Sequence, residues 1–207
     1  LTNQNFDKMR LSVLSPTIFL ILCITFSYAK EEPKSPLPTE HHTIARIGDF
    51  SQFIIPTYAA GLAVHHKDTK GIWQLGGTVL LQTALTHGMK RGFNNTTMHG
   101  ERLGERPNGG NHNFPSGHTA ATFSSAWFIK KRYGWLPSLP ALALASFTGF
   151  SRVHSNYHTM NAVGFGALTG ILSAEIMTRA FPEKEDKHRI NLHGDDKIIA
   201  LEYRLRF

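Results

Sequence analysis

Five long stretches without a single Asp, Glu, Lys or Arg dominate this chain: 50–66, 71–89, 107–129, 133–151 and 153–174. A helix that carries no charge over such a length must bury most of its circumference, in protein or in lipid. The apolar residues do not alternate as they would in half-buried strands. Gly164, Gly166 and Gly170 add a pattern of small residues that lets helices approach closely. Apart from their loop ends the five stretches read as helices, and the expected fold is all-α: a helical bundle with no strand in its core. Each stretch also contains Thr, Ser, Gln or His, and mean hydropathy is −0.20. Some apolar cores fall short of the roughly 20 residues that span a bilayer. A soluble bundle therefore stays open beside a membrane-embedded or membrane-associated one. The charges between the stretches favour the membrane. His65-His66-Lys67-Asp68-Thr69-Lys70 and Lys130-Lys131-Arg132 fall in alternate loops, as the excess of positive charge on one side of a membrane requires.

The flanks divide the chain. Residues 1–29 read as an N-terminal leader. From Met9 the order is Arg10, an apolar run from Leu11 to Phe26, then Ser27-Tyr28-Ala29. This fits a secretory signal cleaved after Ala29, or an uncleaved first membrane helix. Residues 30–49, with Pro33, Pro36 and Pro38, read as an extended linker. Residues 50–181 hold the helical domain, and 182–207 form a charged tail. Within that tail Leu201, Tyr203, Leu205 and Phe207 alternate as on one face of a strand.

The formal net charge of +7 narrows the partners. No basic run is interleaved with aromatics, so the chain is not read as a nucleic-acid binder. Anionic substrates or an anionic membrane surface fit the charge instead. Cys23 is the only cysteine, which excludes a disulfide within the chain. His41-His42 has no Cys or helical His/Glu spacing around it that would make a zinc site. Oligomeric state leaves no mark that composition or spacing reveals.

One turn carries chemistry. In Phe114-Pro115-Ser116-Gly117-His118-Thr119, Pro115 blocks a helix on its N-terminal side, Ser116 is a good N-cap, and Gly117 lets a ligand approach the backbone. The apolar sequence from Ala120 to Ile129 then continues as a helix. Free N–H groups at such a helix start bind anions, phosphate above all. His118 stands where it could give a proton to a leaving group.

Two further stretches complete a pattern: Lys90 with Arg106-Pro107 upstream, and Ser151-Arg152 with His158 downstream. Together the three resemble the signature of the PAP2 phosphatase superfamily, which includes lipid phosphate phosphatases, class A acid phosphatases and vanadium haloperoxidases. That signature runs Lys, a gap, Arg-Pro; then Pro-Ser-Gly-His; then Ser-Arg, five residues, His, three residues, Asp. The likeness covers roughly residues 50–180. Two positions depart from it. Fifteen residues separate Lys90 from Arg106 where the family has six, so 95–105 reads as an insertion; His99 stands at the six-residue spacing but is a poor replacement for a permanent cation. At the family aspartate stands Ala162, with Asn161 beside it as a possible substitute.

The resemblance implies a metal-independent phosphatase of the bacterial envelope, without a cofactor. Its substrate would be a phosphomonoester or diphosphate, of a lipid above all. His158 would attack phosphorus and form a phosphohistidine, while His118 would protonate the leaving alcohol and then activate water. Lys90, Arg106 and Arg152 would neutralise the phosphoryl oxygens, with Ser116 and the Gly117 amide as neutral donors. The protein would face the periplasm, either from the inner membrane or as a soluble periplasmic bundle. Ala162 removes the carboxylate that would steer His158, and lowered activity follows from that. Two alternatives remain open: a catalytically weak protein that binds phosphate or a lipid head group, and a vanadium haloperoxidase-like enzyme.

Overall fold

A computed structural model of the chain describes residues 39–98, 101–182, 188–195 and 198–205. The expected leader, the proline run of the linker, and His99 lie outside these residues. Five helices form the body: α1 (Thr39–His65), α2 (Thr69–Phe93), α3 (Gly117–Tyr133), α4 (Trp135–His154) and α5 (Met160–Met177). Each charge-free stretch corresponds to one of them. α1, however, begins at Thr39, so 39–49 belongs to a helix and not to an extended linker. Lys130, Lys131 and Arg132 likewise form the last turn of α3 rather than a loop.

Local chemistry sets the boundaries. Asp68 caps α2, its carboxylate accepting from Gly71 N at 2.8 Å. Ser116 caps α3, and Gly134, at φ 95°, breaks the chain between α3 and α4 in a conformation that L side chains rarely adopt. Thr159 caps α5 through a bond from Ala162 N at 3.3 Å. The long α2–α3 connection contains a two-residue antiparallel ladder, β1 (Thr97–Met98) with β2 (Glu101–Arg102). Beyond α5, β3 (His188–Asp195) pairs antiparallel with β4 (Ile198–Leu205), Ile190 opposite Tyr203 and Leu192 opposite Leu201.

α3 runs through the middle of the bundle. Small residues on α5 let that helix lie directly against it: a Cβ on Gly166 would stand 2.5 Å from the Ser116 carbonyl oxygen, and one on Gly170 only 2.4 Å from that of Ala120. Ile55, Leu75, Phe128 and Ile129 form the apolar part of the core. Much of the remaining interior is hydroxylated. Thr78, Thr122, Thr148, Thr169 and Ser173 are buried, each returning its hydroxyl to the carbonyl four residues earlier at 2.7–3.0 Å. Large apolar side chains face outward instead, among them Phe50, Trp73, Leu136, Phe150, Leu172 and Ile176. Among the described residues one helix, Met160–Met177, is long and apolar enough to cross a membrane, by length and composition.

The end of the bundle where α3 finishes is locked by a buried ion pair. Arg132 meets Asp68 twice, Nε to Oδ2 and Nη2 to Oδ1, both at 2.6 Å. Its Nη1 donates to the carbonyls of Arg179 and Ala180 at 2.7 and 2.9 Å. The Tyr133 hydroxyl donates to Asp68 Oδ2 at 2.8 Å. Burial alone would raise the Asp68 carboxyl; Arg132, the Gly71 N–H and Tyr133 together outweigh that and hold it below its ordinary value. This lock joins the α1–α2 turn, the end of α3 and the segment after α5.

Candidate active site

The opposite end gathers all three motifs. α4 finishes at His154, and Asn156, at φ 57°, reverses the chain. The amides of Tyr157 and His158 then both donate to the Arg152 carbonyl, at 3.0 and 3.1 Å. His158 is thereby folded back onto the last turn of the helix that carries Arg152. The loop bearing Arg106 is tied to the same reversal, since Asn108 N donates to Asn156 O at 3.2 Å. Two bonds of 2.8 Å, Arg106 N to Gly110 O and Gly109 N to Arg106 O, close that loop into a tight turn.

His158 is 3% exposed. Its Nδ1 lies 2.7 Å from the Asn113 carbonyl oxygen. A carbonyl can only accept, so Nδ1 carries the hydrogen and Nε2 keeps its lone pair. Asn113 is itself held by a reciprocal pair: its Nδ2 donates to Thr159 Oγ1 at 3.1 Å, and Thr159 N donates to its Oδ1 at 3.0 Å. Burial first, then the charges of Lys90, Arg106 and His118, push the His158 ring well below its ordinary pKa, against the smaller opposing effect of Asn113. The ring is thus held neutral, with its hydrogen on Nδ1 and the Nε2 lone pair free of it.

Ser116 is fully buried, with its amide bonded to the Ala162 carbonyl at 2.8 Å. Its Oγ accepts from Thr119 Oγ1 at 2.9 Å and from Thr119 N at 3.5 Å. Ser116 is therefore a helix cap in this arrangement, with Gly117 exposing its backbone just beyond it. Lys90, in the last turn of α2, reaches the same place despite its long spacing from Arg106. Its Nζ donates to His112 O at 2.5 Å, and its Cε would lie 3.9 Å from a Cβ on Gly117.

Arg152 is 2% exposed and deeply committed. Nε donates to Ser151 Oγ at 3.2 Å, Nη1 to Asp49 Oδ1 at 2.7 Å, and Nη2 to the Ala45 carbonyl. These bonds use three of the five N–H donors of the guanidinium, which also lies over the Tyr157 ring at 5.2 Å. The same Asp49 Oδ1 lies 3.1 Å from His118 Nε2.

Asp49 and Asn113 belong to this site and sequence reasoning missed both. Asp49 falls one residue before the first charge-free stretch, inside what reads as a linker. The signal that could have found it is the series Ala45, Gly48, Gln52, Ile55, Ala59 and Ala63, which carries the helical spacing upstream past residue 50. Asn113 acts through a backbone carbonyl, which no side-chain motif records. Asn161 is not the partner of His158: it is exposed on the first turn of α5, and Asn113 fills that place. Ala162 is buried, and what it gives the site is its carbonyl oxygen. Among the described residues no three His, Cys, Asp or Glu side chains converge as metal ligands.

The PAP2 superfamily matches residues 71–186, more than half of the chain and the whole of the three-motif region. The chain belongs to the PAP2 superfamily. It is 30% identical over 178 residues to a lipid A 1-phosphatase of Helicobacter pylori strain 26695, covering 84% of this chain and 90% of that one. It is 31% identical over 170 residues to a lipid A 4'-phosphatase of H. pylori strain J99, covering 81% and 84%. A lipid A 1-phosphatase of Porphyromonas gingivalis is 35% identical over 137 residues, 63% of this chain but only 30% of that protein. No solved structure matches the chain. A PAP2 phosphatase with relatives acting on a phosphorylated lipid accords with what the three motifs imply.

Proposed function

We propose that this PAP2 protein is a metal-independent phosphatase of the bacterial envelope that removes a phosphate group from a lipid, with lipid A as the first candidate. The observation that carries the chemistry is the neutral, buried His158 with Nδ1 on a fixed carbonyl, the charges of Lys90 and Arg106 acting on it, and Arg152 acting on the neighbouring His118. The two relatives in H. pylori carry the substrate class.

In the first step the lone pair on His158 Nε2 attacks phosphorus. The P–O bond to the lipid breaks as the P–N bond forms, and the leaving oxygen takes a proton from His118. In the second step His118 accepts a proton from water, the water oxygen bonds to phosphorus, and the P–N bond breaks. Inorganic phosphate leaves, and both histidines return to their starting states. Throughout, Lys90, Arg106, Arg152 and the Gly117 amide meet the phosphoryl oxygens, while the buried Ser116 caps the helix that presents that amide.

Ala162 leaves tautomer control in place, because Asn113 supplies it. No carboxylate at 162 stabilises the positive charge on the reacting ring, and turnover is lower for that reason. Buried hydroxyls beside the apolar core, together with large apolar side chains on the outside, support a place in the membrane, with the site at one face where a lipid head group arrives.

Phosphate release from lipid A and from a panel of other lipid phosphates, with chelator present, tests the reading. The expected result is release without metal, reduced at least about 10³-fold in His158→Ala, as for removal of a nucleophile. Release that needs a divalent cation, or that survives His158→Ala, overturns it.

A further inference from the structure

Asp49 bridges the two halves of the site, and no family motif includes it. It lies on α1, outside the span of the family match. Its Oδ1 stands 2.7 Å from Arg152 Nη1 and 3.1 Å from His118 Nε2. Gly48 makes this approach possible: a Cβ there would lie 2.0 Å from Ser151 Oγ and 2.6 Å from Arg152 Nη2. α1 is thus pressed against the end of α4 at a residue without a side chain, and the next residue carries the carboxylate. Arg152 grips α1 at both Ala45 and Asp49, one turn apart, so the carboxylate is held from behind.

We propose that Asp49 is the positioning residue for His118: it holds Nε2 of the ring, turns Nδ1 toward the leaving group, and offsets the imidazolium charge when His118 is the acid. This rests on the phosphatase reading above. The surrounding charges point the same way as the distances. Among the described residues, the groups that face His118 are Asp49 from α1, Lys90 from α2, Arg152 from α4 and His158 from the α4–α5 turn. Asp49 is the one anion of these four. Without it, a protonated His118 would stand among permanent cations with nothing to offset them. A carboxylate absent from position 162 is in this way present in the site, on a different helix and a different histidine.

The test is Asp49→Asn in the full chain. It keeps the shape and a hydrogen-bonding oxygen while removing the charge. The expected outcome is a kcat lowered about 10–100-fold, as for loss of a partner that orients a reacting group. The alkaline limb of the pH–rate profile, which reports loss of the acid form of His118, moves to lower pH. A purely structural role would not move that limb. An unchanged limb and kcat overturn the proposal. So does a rise in kcat or a fall in KM, which would show Asp49 occupying the phosphate site as a competitor. Titration of the His118 ring by NMR gives a second readout that needs no turnover. If the wild-type protein releases no phosphate from any lipid, the phosphatase reading fails, and this titration still decides the pairing. A lower titration point in Asp49→Asn supports it, and equal points refute it.

Discussion

Gly166→Ala tests whether the α3–α5 contact positions the anion site. The added methyl would lie 2.5 Å from the Ser116 carbonyl oxygen, whereas ordinary contact begins at 3.4 Å, so the helices must part by about 0.9 Å. The atom it strikes is backbone and cannot rotate away. Overpacking of this kind costs about 1–3 kcal/mol. Ala in place of Gly inside a helix returns about 0.8–1 kcal/mol through propensity, so the net effect is between neutral and about 2 kcal/mol unfavourable. Gly164→Ala, two residues earlier on α5, removes the ambiguity. That position is exposed and a Cβ there meets nothing within 4 Å, so only the propensity gain remains. The difference between the two variants is then the overlap alone, about 1–3 kcal/mol, or roughly 2–12 °C in Tm for a domain of this size. Thermal unfolding of the detergent-extracted proteins reads it. The same displacement moves Ser116 and the Gly117 amide by close to 1 Å, enough for about a 10²-fold loss of kcat/KM in Gly166→Ala and none in Gly164→Ala. If both variants melt together and turn over alike, α5 does not hold α3 in place at Gly166.

The lock at the other end predicts a stability effect without a direct catalytic one. Asp68→Asn leaves Arg132 charged and buried without its anion, since their side chains are 3% and 2% exposed. This costs about 3–5 kcal/mol, read as a lowered Tm. Because the folded-state pKa of Asp68 is depressed, its stabilisation is complete above the unfolded value near 3.8 and is lost as pH falls through the folded value. Wild type and Asp68→Asn should therefore converge in Tm at the acid end, and a constant gap would refute the pairing. His158 acts at a higher pH. Its ring is held below the ordinary value of 6.5, so it stays neutral through that pH, and if it is the proposed nucleophile the acid limb of the rate profile lies below 6.5. Stability attributable to the neutral ring is complete above 6.5 and declines as pH falls from there toward the folded value. An acid limb at or above 6.5 would contradict the burial of the ring. Ala162→Asp is expected to raise turnover if the missing carboxylate limits the phosphohistidine step; unchanged or lower turnover shows that Asn113 alone suffices.

The helices were legible because they lack charge. An uncharged run of this length has few other fates, and each of the five appears as one helix. The start of α1 was not legible, because Glu40, Arg46 and Asp49 break the charge-free rule just after the prolines. The helical spacing of small residues continued through them all the same. β4 shows in the alternation of Leu201, Tyr203 and Leu205. Its partner β3 is more polar, and its alternation is reduced to Ile190 and Leu192.

Lys90 shows why spacing alone misjudges a site. Fifteen residues between it and Arg106 look like a broken motif, yet the extra chain leaves and returns. Thr97 pairs with Arg102 across the short ladder, so the excursion begins and ends at nearly the same point. An insertion that closes on itself changes the count along the sequence and not the distance in space. The carboxylate is the converse case. Position 162 preserves the count and has lost the group, while Asp49 supplies a group that no count includes. Motif spacing records only the residues that one stretch of chain delivers. Asp49 comes from a helix far upstream, brought in by the packing of Gly48 against Ser151. A site assembled from five helices can therefore keep its charges while its signature changes. Variants at 49 and 162 together separate the two carboxylate positions. Asp49→Asn should cost the same factor in the native Ala162 background and in the Ala162→Asp background, because Asp49 acts on His118 and a carboxylate at 162 would act on His158. A smaller cost in the Ala162→Asp background would show that one carboxylate substitutes for the other and would overturn the assignment to separate histidines.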